Sequence, residues 1–250
     1  MLQDVNVKFR YPKIPENKCK LKMTRKLNRT IIFVIVLCAA VFAALLLTRP
    51  SPEQSPSETV VAGVVAGDVF TYNIRAYATI IDANATVPEN FYQVNMTKWY
   101  RVTITQVNDT EVSFSSTWRF SNGTEIDKTG KVNIETGIGN SQDFWAIYAS
   151  GLEAGDLARP FGINRQVINE TEKRTYKSGE RETNSILLEN MFYETNDPTG
   201  NSTCESFRSI YFDKQTGMLV EFVNSDVYSN PQLLLRLQWK IADTNVWNIT

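Results

Sequence analysis

"DVFTYNIRAYATI" (Asp68–Ile80) alternates strictly, placing Phe70, Tyr72, Ile74, Ala76 and Ala78 on one side. Successive side chains of a strand point to opposite faces, so a period of two over this length predicts a strand with one buried face. Working outward, the pattern recurs. Tyr100, Val102 and Ile104 alternate, as do Val112, Phe114, Trp118 and Phe120. "VNDT" (Val107–Thr110) separates those two runs and "SNGT" (Ser121–Thr124) follows the second; both are hairpin turn signals. Val132 and Ile134 continue the meander. "KSGE" (Lys177–Glu180) parts two more runs, and "NDPTGNST" (Asn196–Thr203) is a longer polar loop. "SIYFDKQTGMLVEFV" (Ser209–Val223) reads as strand, five-residue turn, strand. In "LLLRLQWKI" (Leu233–Ile241), Leu233, Leu235, Leu237, Trp239 and Ile241 face one way and Arg236, Gln238 and Lys240 the other.

About nine strands predict a mainly β domain over residues 59–250. The expected architecture is an antiparallel meander, curved and half-barrel-like, with a two-sheet sandwich as the alternative, since one apolar face must be covered. One stretch departs from alternation. In "SQDFWAIYASGLEAGD" (Ser141–Asp156), Phe144, Ile147, Tyr148 and Leu152 fall at helical spacing, which predicts a packed helix with Ser141 as N-cap. A short echo, Ala66-Gly67-Asp68 and Ala154-Gly155-Asp156, is read as turn chemistry, each Gly allowing a tight turn and each Asp bonding local amides.

N-terminal to this domain the composition changes. Ile31–Leu47 holds no charged residue, Pro or Gly over 17 residues. As a helix it rises about 26 Å against a hydrocarbon core of about 30 Å. A core helix would carry a polar face, and a cleaved leader would end in small residues where Leu45-Leu46-Leu47 stands. The expectation is a retained single-pass signal-anchor over 31–48. Residues 1–30 carry nine basic and two acidic residues, +7, while the remainder carries −8. Lys and Arg stay on the cytoplasmic side, so the tail is expected inside and the large domain outside the cell membrane. Residues 49–58, "RPSPEQSPSE" from Arg49, form an extended spacer.

The outer domain is rich in Asn-x-Thr triplets, at Asn84, Asn95, Asn108, Asn122, Asn169, Asn201 and Asn248. Residues 51–250 hold 18 Asn and 21 Thr, for which chance gives roughly two such triplets. The excess predicts an N-glycosylated, solvent-facing surface. Asn108-Asp109 and Asn122-Gly123 are also good turn formers in their own right. Of three cysteines, Cys19 lies in the tail, Cys38 in the apolar run and Cys204 in the domain, so no intradomain disulfide can form. Cys204 is expected to be a quiet thiol. Many sequons without disulfides fit a prokaryotic, archaeal envelope better than an animal secretory route.

The absence of histidine removes Ser-His and Cys-His nucleophile pairs, helical zinc-protease motifs and most transition-metal sites. "TGIGN" (Thr136–Asn140) lacks the Lys of a phosphate-binding loop. Asp197, Asn201 and Asp213 offer oxygen ligands without EF-hand spacing. The acidic domain disfavours nucleic acid. No catalytic, cofactor-binding or metal residues are predicted, and no enzyme activity. The expected role is a cell-surface interaction or structural module with a protein or glycan partner. The alternative is a protein holding a lipid or other hydrophobic ligand in a curved-sheet groove, with Trp99, Trp118 and Trp145 as candidate groove aromatics; aromatic core filling is the competing account of these rings. An apolar cavity of several hundred Å³ would separate the two roles.

"AGDVFTY" (Ala66–Tyr72) and "YFDKQTGMLVEF" (Tyr211–Phe222) resemble stretches of single-span archaeal surface proteins without assigned function. The second hairpin, with Asp-Lys-x-Thr-Gly between apolar strands, is also similar to one in half-barrel lipoprotein-carrier folds. The resemblance implies location and fold; it assigns no residue a role.

Overall fold

The computed structural model describes residues 60–140, 144–193 and 202–249. The tail, the apolar run, the spacer, Cys19, Cys38, Ser141, Asp197 and Asn201 lie outside these residues. Among the described residues no helix is long and apolar enough to cross a membrane.

The strands are β1 (Val69–Ile80), β2 (Thr97–Asn108), β3 (Glu111–Phe120), β4 (Glu125–Asn133), β5 (Glu170–Tyr176), β6 (Gly179–Tyr193), β7 (Thr203–Asp213), β8 (Leu219–Ser229) and β9 (Gln232–Thr244). They form one open antiparallel sheet in the order β4-β3-β2-β1-β9-β8-β7-β6-β5. A single sheet replaces the two-sheet sandwich. β1 pairs with β9 from Phe70↔Thr244 to Ile80↔Leu233, so the first and last strands meet at the middle. The predicted alternation holds in both: Tyr72, Ile74 and Ala76 face inward beside Ile241, Trp239 and Leu237.

The hairpin signals fall where turn chemistry requires. Asp109 takes φ 55° in the turn between β2 and β3, a conformation Asp tolerates better than most residues. In the turn between β7 and β8, the Asp213 carboxylate accepts the Thr216 N–H and hydroxyl at 2.8 and 2.9 Å. Arg181 donates to the same buried carboxylate through both Nε and Nη2 at 2.8 Å. Asp213 is thus committed to an internal ion pair.

The expected helix over Ser141–Asp156 is not formed; residues 144–156 are extended or turning. The one α-helix among the described residues is a single turn, α1 (Glu89–Gln93), whose Phe91 packs with Ala85 and Val87 against Leu233 and Leu235 at one end of the inner face. The reason is topological. β4 and β5 lie at opposite edges of the sheet, so the chain between them must cross its whole width. Within that crossing, residues 144–149 form an extended strap: the Tyr148 N–H donates to the Gly217 carbonyl at 2.9 Å, and the Leu219 N–H donates to the Ala146 carbonyl at 3.2 Å. Phe144, Ala146, Ile147, Tyr148 and Ala149 are all buried. Burial on both sides of an extended run leaves no polar alternation, and an unbroken apolar stretch cannot be told from a helix by period alone.

The Ala-Gly-Asp echo is one turn used twice. Gly67 and Gly155 take φ of 97° and 96°. Asp68 and Asp156 accept the Val65 and Glu153 N–H groups at 2.8 Å through their side chains. Each then accepts at its own carbonyl from a neighbouring segment, the N–H of Ile104 on β2 and of Ile168 just before β5, at 2.9 Å. The structural reading of these acids holds.

The Phe144 ring sits 5.7 to 6.2 Å from those of Tyr72, Tyr100 and Phe114, whereas its neighbour Trp145 is 45 % exposed. Phe144→Ala is expected to cost about 3–5 kcal/mol in urea unfolding and Trp145→Ala about 1 kcal/mol or less. Similar losses at both positions would contradict this packing of the Phe144 ring.

Candidate functional site

A cavity of about 650 Å³ lies between the strap and the inner face of β6–β9. Its floor is two cross-strand rows. Leu188, Arg208, Asn224 and Leu237 stand side by side on β6, β7, β8 and β9, and Ile210 and Phe222 form the row beneath. The strap adds Trp145, whose ring meets Phe222 edge-on at 6.1 Å, and Tyr148. Two turns of the β4–β5 crossing complete the wall through Ile138, Ile163, Asn164 and Gln166. Ile138 and Ile163 stay 66 and 90 % exposed at its edge.

Arg159 is the unusual member of this lining, at 8 % exposure. Its Nη1 donates to the Ile134 carbonyl and its Nη2 to the Trp145 carbonyl, each at 3.0 Å. Its guanidinium lies 4.2 Å over the Tyr148 ring, which stacks in turn on Phe212 at 4.2 Å. A Cβ on Gly137 (φ 75°) would approach Arg159 Nε to 3.2 Å, and one on Gly162 would meet Arg159 Cβ at 2.6 Å. Two glycines therefore let the crossing close around this side chain. Among the described residues no carboxylate forms an ion pair with it. Burial lowers the guanidinium from its ordinary value, and Tyr148 opposes that.

The second cation, Arg208, is exposed on the floor. Its Nε donates to Asn224 Oδ1 at 3.0 Å, an oxygen that also accepts from the buried Ser206 hydroxyl at 3.2 Å. Asn224 Nδ2 donates to Asp226 Oδ2 at 2.8 Å. Asn224 thus separates the Asp226 charge from that of Arg208. The cavity lining holds two arginines and no carboxylate.

Of the three candidate groove aromatics, the structure places only Trp145 at the cavity. Trp118 packs edge-on to Tyr100 and Trp239 at 5.4 and 6.1 Å and donates its Nε1–H to Thr97 Oγ1 at 2.8 Å. Trp99 lies under Arg101 at 4.5 Å, on the strand face opposite to Tyr100. The "TGIGN" stretch contributes Thr136, Gly137 and Ile138 to the wall without any phosphate-loop geometry. Neither Arg159 nor Arg208 was singled out by sequence reasoning; the only signal was an Arg within the otherwise uncharged run "LARPFGI" (Leu157–Ile163). Cys204 is fully buried, which leaves no surface for an intermolecular disulfide. Six sequon asparagines fall on described residues and all are exposed. Asn95 is also a structural bridge, accepting the Ala76 N–H at 2.7 Å and donating to the Ala76 carbonyl at 2.9 Å. Among the described residues no group of three His, Cys, Asp or Glu side chains is placed to hold a metal ion. Neither a family model nor a curated protein matches the chain.

Burial raises the Tyr148 phenol from 10.0 to about 12, with Arg159 opposing. A folded value above the unfolded one keeps its stabilising contribution whole below pH 10.0 and loses it as pH climbs toward about 12. Tyr148→Phe is expected to flatten the fall in stability between these limits by on the order of 2 kcal/mol. Urea midpoints at pH 9, 10.5 and 11.5 check this, and parallel curves for the two proteins would contradict it.

Proposed function

We propose that the chain is a single-pass surface protein whose β domain is a binding module, holding an amphipathic ligand against the inner face of a curled, half-barrel-like sheet. The observation that carries this reading is the cavity: about 650 Å³, walled by Trp145, Leu188, Ile210, Phe222 and Leu237, with a few convergent polar groups. Small-molecule sites have this size and this mixture, whereas interiors with nothing to hold are closely packed.

The strap supports the curl. Phe144 touches Phe114 on β3 and Tyr148 touches Phe212 on β7, at 5.9 and 4.2 Å between rings. Those strands are five places apart in the sheet order, roughly 24 Å in a flat sheet, while the four-residue step from Phe144 to Tyr148 reaches about 14 Å. Side-chain reach covers part of the difference and bending of the sheet the rest.

On this reading Ile31–Leu47 holds the domain outside the membrane and residues 49–58 lift it clear. Sugars on the exposed sequons keep its surface wet. Asn84, Asn95, Asn108, Asn122, Asn169 and Asn248 are all absent from the cavity lining.

Native mass spectrometry of the full chain, extracted gently from its host's membranes, tests the proposal. The expected spectrum carries glycan mass and one co-purifying amphiphile per chain, with retention reduced in Trp145→Ala. An intact chain with nothing bound, under conditions that preserve other lipid complexes, would overturn the ligand reading; one without sugar would overturn the glycoprotein reading.

A further inference from the structure

The cavity's charge deepens that proposal and rests on it: we infer that the ligand is a single-chain amphiphile with an anionic headgroup, a carboxylate or phosphate monoester, read by Arg159 and Arg208. Three observations converge. The chain beyond its tail carries net −8, yet both charged residues of the cavity lining are arginines. Arg159 is buried and its charge is answered only by two carbonyl oxygens and the face of Tyr148. Burying a cation without a counter-charge is costly, and here the closing turns, with Gly137 and Gly162 against the side chain, impose that burial. An anion in the cavity relieves the cost.

Arg208 supplies the specific contact. Its Nε is engaged by Asn224 Oδ1, which fixes the plane of the guanidinium and leaves both terminal nitrogens without a partner among the described residues. A planar fork presented in this way suits the paired oxygens of a carboxylate or phosphate. The nearest acid along the network, Asp226, is turned to Asn224 Nδ2, so it does not neutralise the fork directly. The apolar remainder, with Leu188 and Leu237 flanking the floor and Trp145 opposite Phe222, suits a hydrocarbon chain. A neutral or cationic amphiphile would fill the same space and leave both arginines unanswered.

The test uses the full chain, stripped of co-purifying material, and four probes of one chain length: dodecanoate, dodecyl phosphate, 1-dodecanol and dodecyltrimethylammonium. Each is offered below its micellar concentration, and occupancy is read by native mass spectrometry. Both anions are expected at one per chain and about tenfold tighter than the alcohol, with the ammonium weakest. The ratio of dodecanoate to dodecyl phosphate distinguishes a free acid from a phosphate headgroup as the source. In Arg208→Gln the preference for anion over alcohol is expected to fall about fivefold. Arg159→Lys, which keeps the charge and loses the planar fork, should retain part of the preference. Equal affinity for anions and alcohol would overturn the charge assignment and leave the cavity as a ligand site. An anion preference unchanged in both variants would place its source elsewhere. Binding of none of the four would remove the ligand reading itself.

Discussion

The stacking of the Phe144 and Tyr148 rings onto the inner face of the sheet is the contact that the rest of this domain needs. An open sheet of nine strands presents a broad apolar surface, here Tyr72, Ile74, Tyr100, Phe114, Ile210 and Phe212 among others, and the described residues form no second sheet to cover it. The β4–β5 crossing supplies the cover because it has to traverse that face in any case. Phe144 and Tyr148 stack on rings of the sheet, while Trp145, 45 % exposed, meets Phe222 edge-on at the cavity. The strap also fixes Arg159, since one of its two carbonyl partners belongs to Trp145 and the ring beneath it is Tyr148. Core and site therefore share the same few residues.

The strands were readable because each has one wet face. In β1 and β9 the buried and exposed side chains alternate in the sequence as they do in space, and the turns between neighbours carry Gly, Asn or Asp where the backbone needs them. The strap reads as a helix in sequence because that contrast is absent there: Ala146 to Ala149 are buried consecutively, and a run with no wet face carries no period. The cavity was hidden for a related reason. Its floor comes from four strands distant in sequence and its wall from the crossing, so Leu188, Arg208, Asn224 and Leu237 become neighbours only once the register is fixed. Trp145 lines the cavity from the extended strap rather than from a helix. Trp118 had the same credentials and belongs to the core.

Charge and packing act in opposite directions at the cavity. The glycines at 137 and 162 draw the backbone in around a guanidinium that a purely structural core would replace with an apolar side chain, because a buried charge weakens a fold more often than it strengthens it. An internal ion pair occurs elsewhere in the domain, where Arg181 and Asp213 meet through two hydrogen bonds at 2.8 Å. The sequence thus provides a carboxylate for the partly buried Arg181 and carbonyls alone for the buried Arg159.

The central claim, a chain-like ligand lying between Trp145 and the floor of β6–β9, is tested most directly by collisional quenching. Bromine quenches indole fluorescence only near contact, so the full chain is titrated with 11-bromododecanoate and with unbrominated dodecanoate. Subtracting the Trp145→Phe variant isolates the signal of Trp145 from that of the other tryptophans. The account predicts saturable quenching of the Trp145 component by the brominated probe, displaced by the unbrominated one. Quenching spread over the other tryptophans, with the Trp145 component unaffected at saturation, would contradict it.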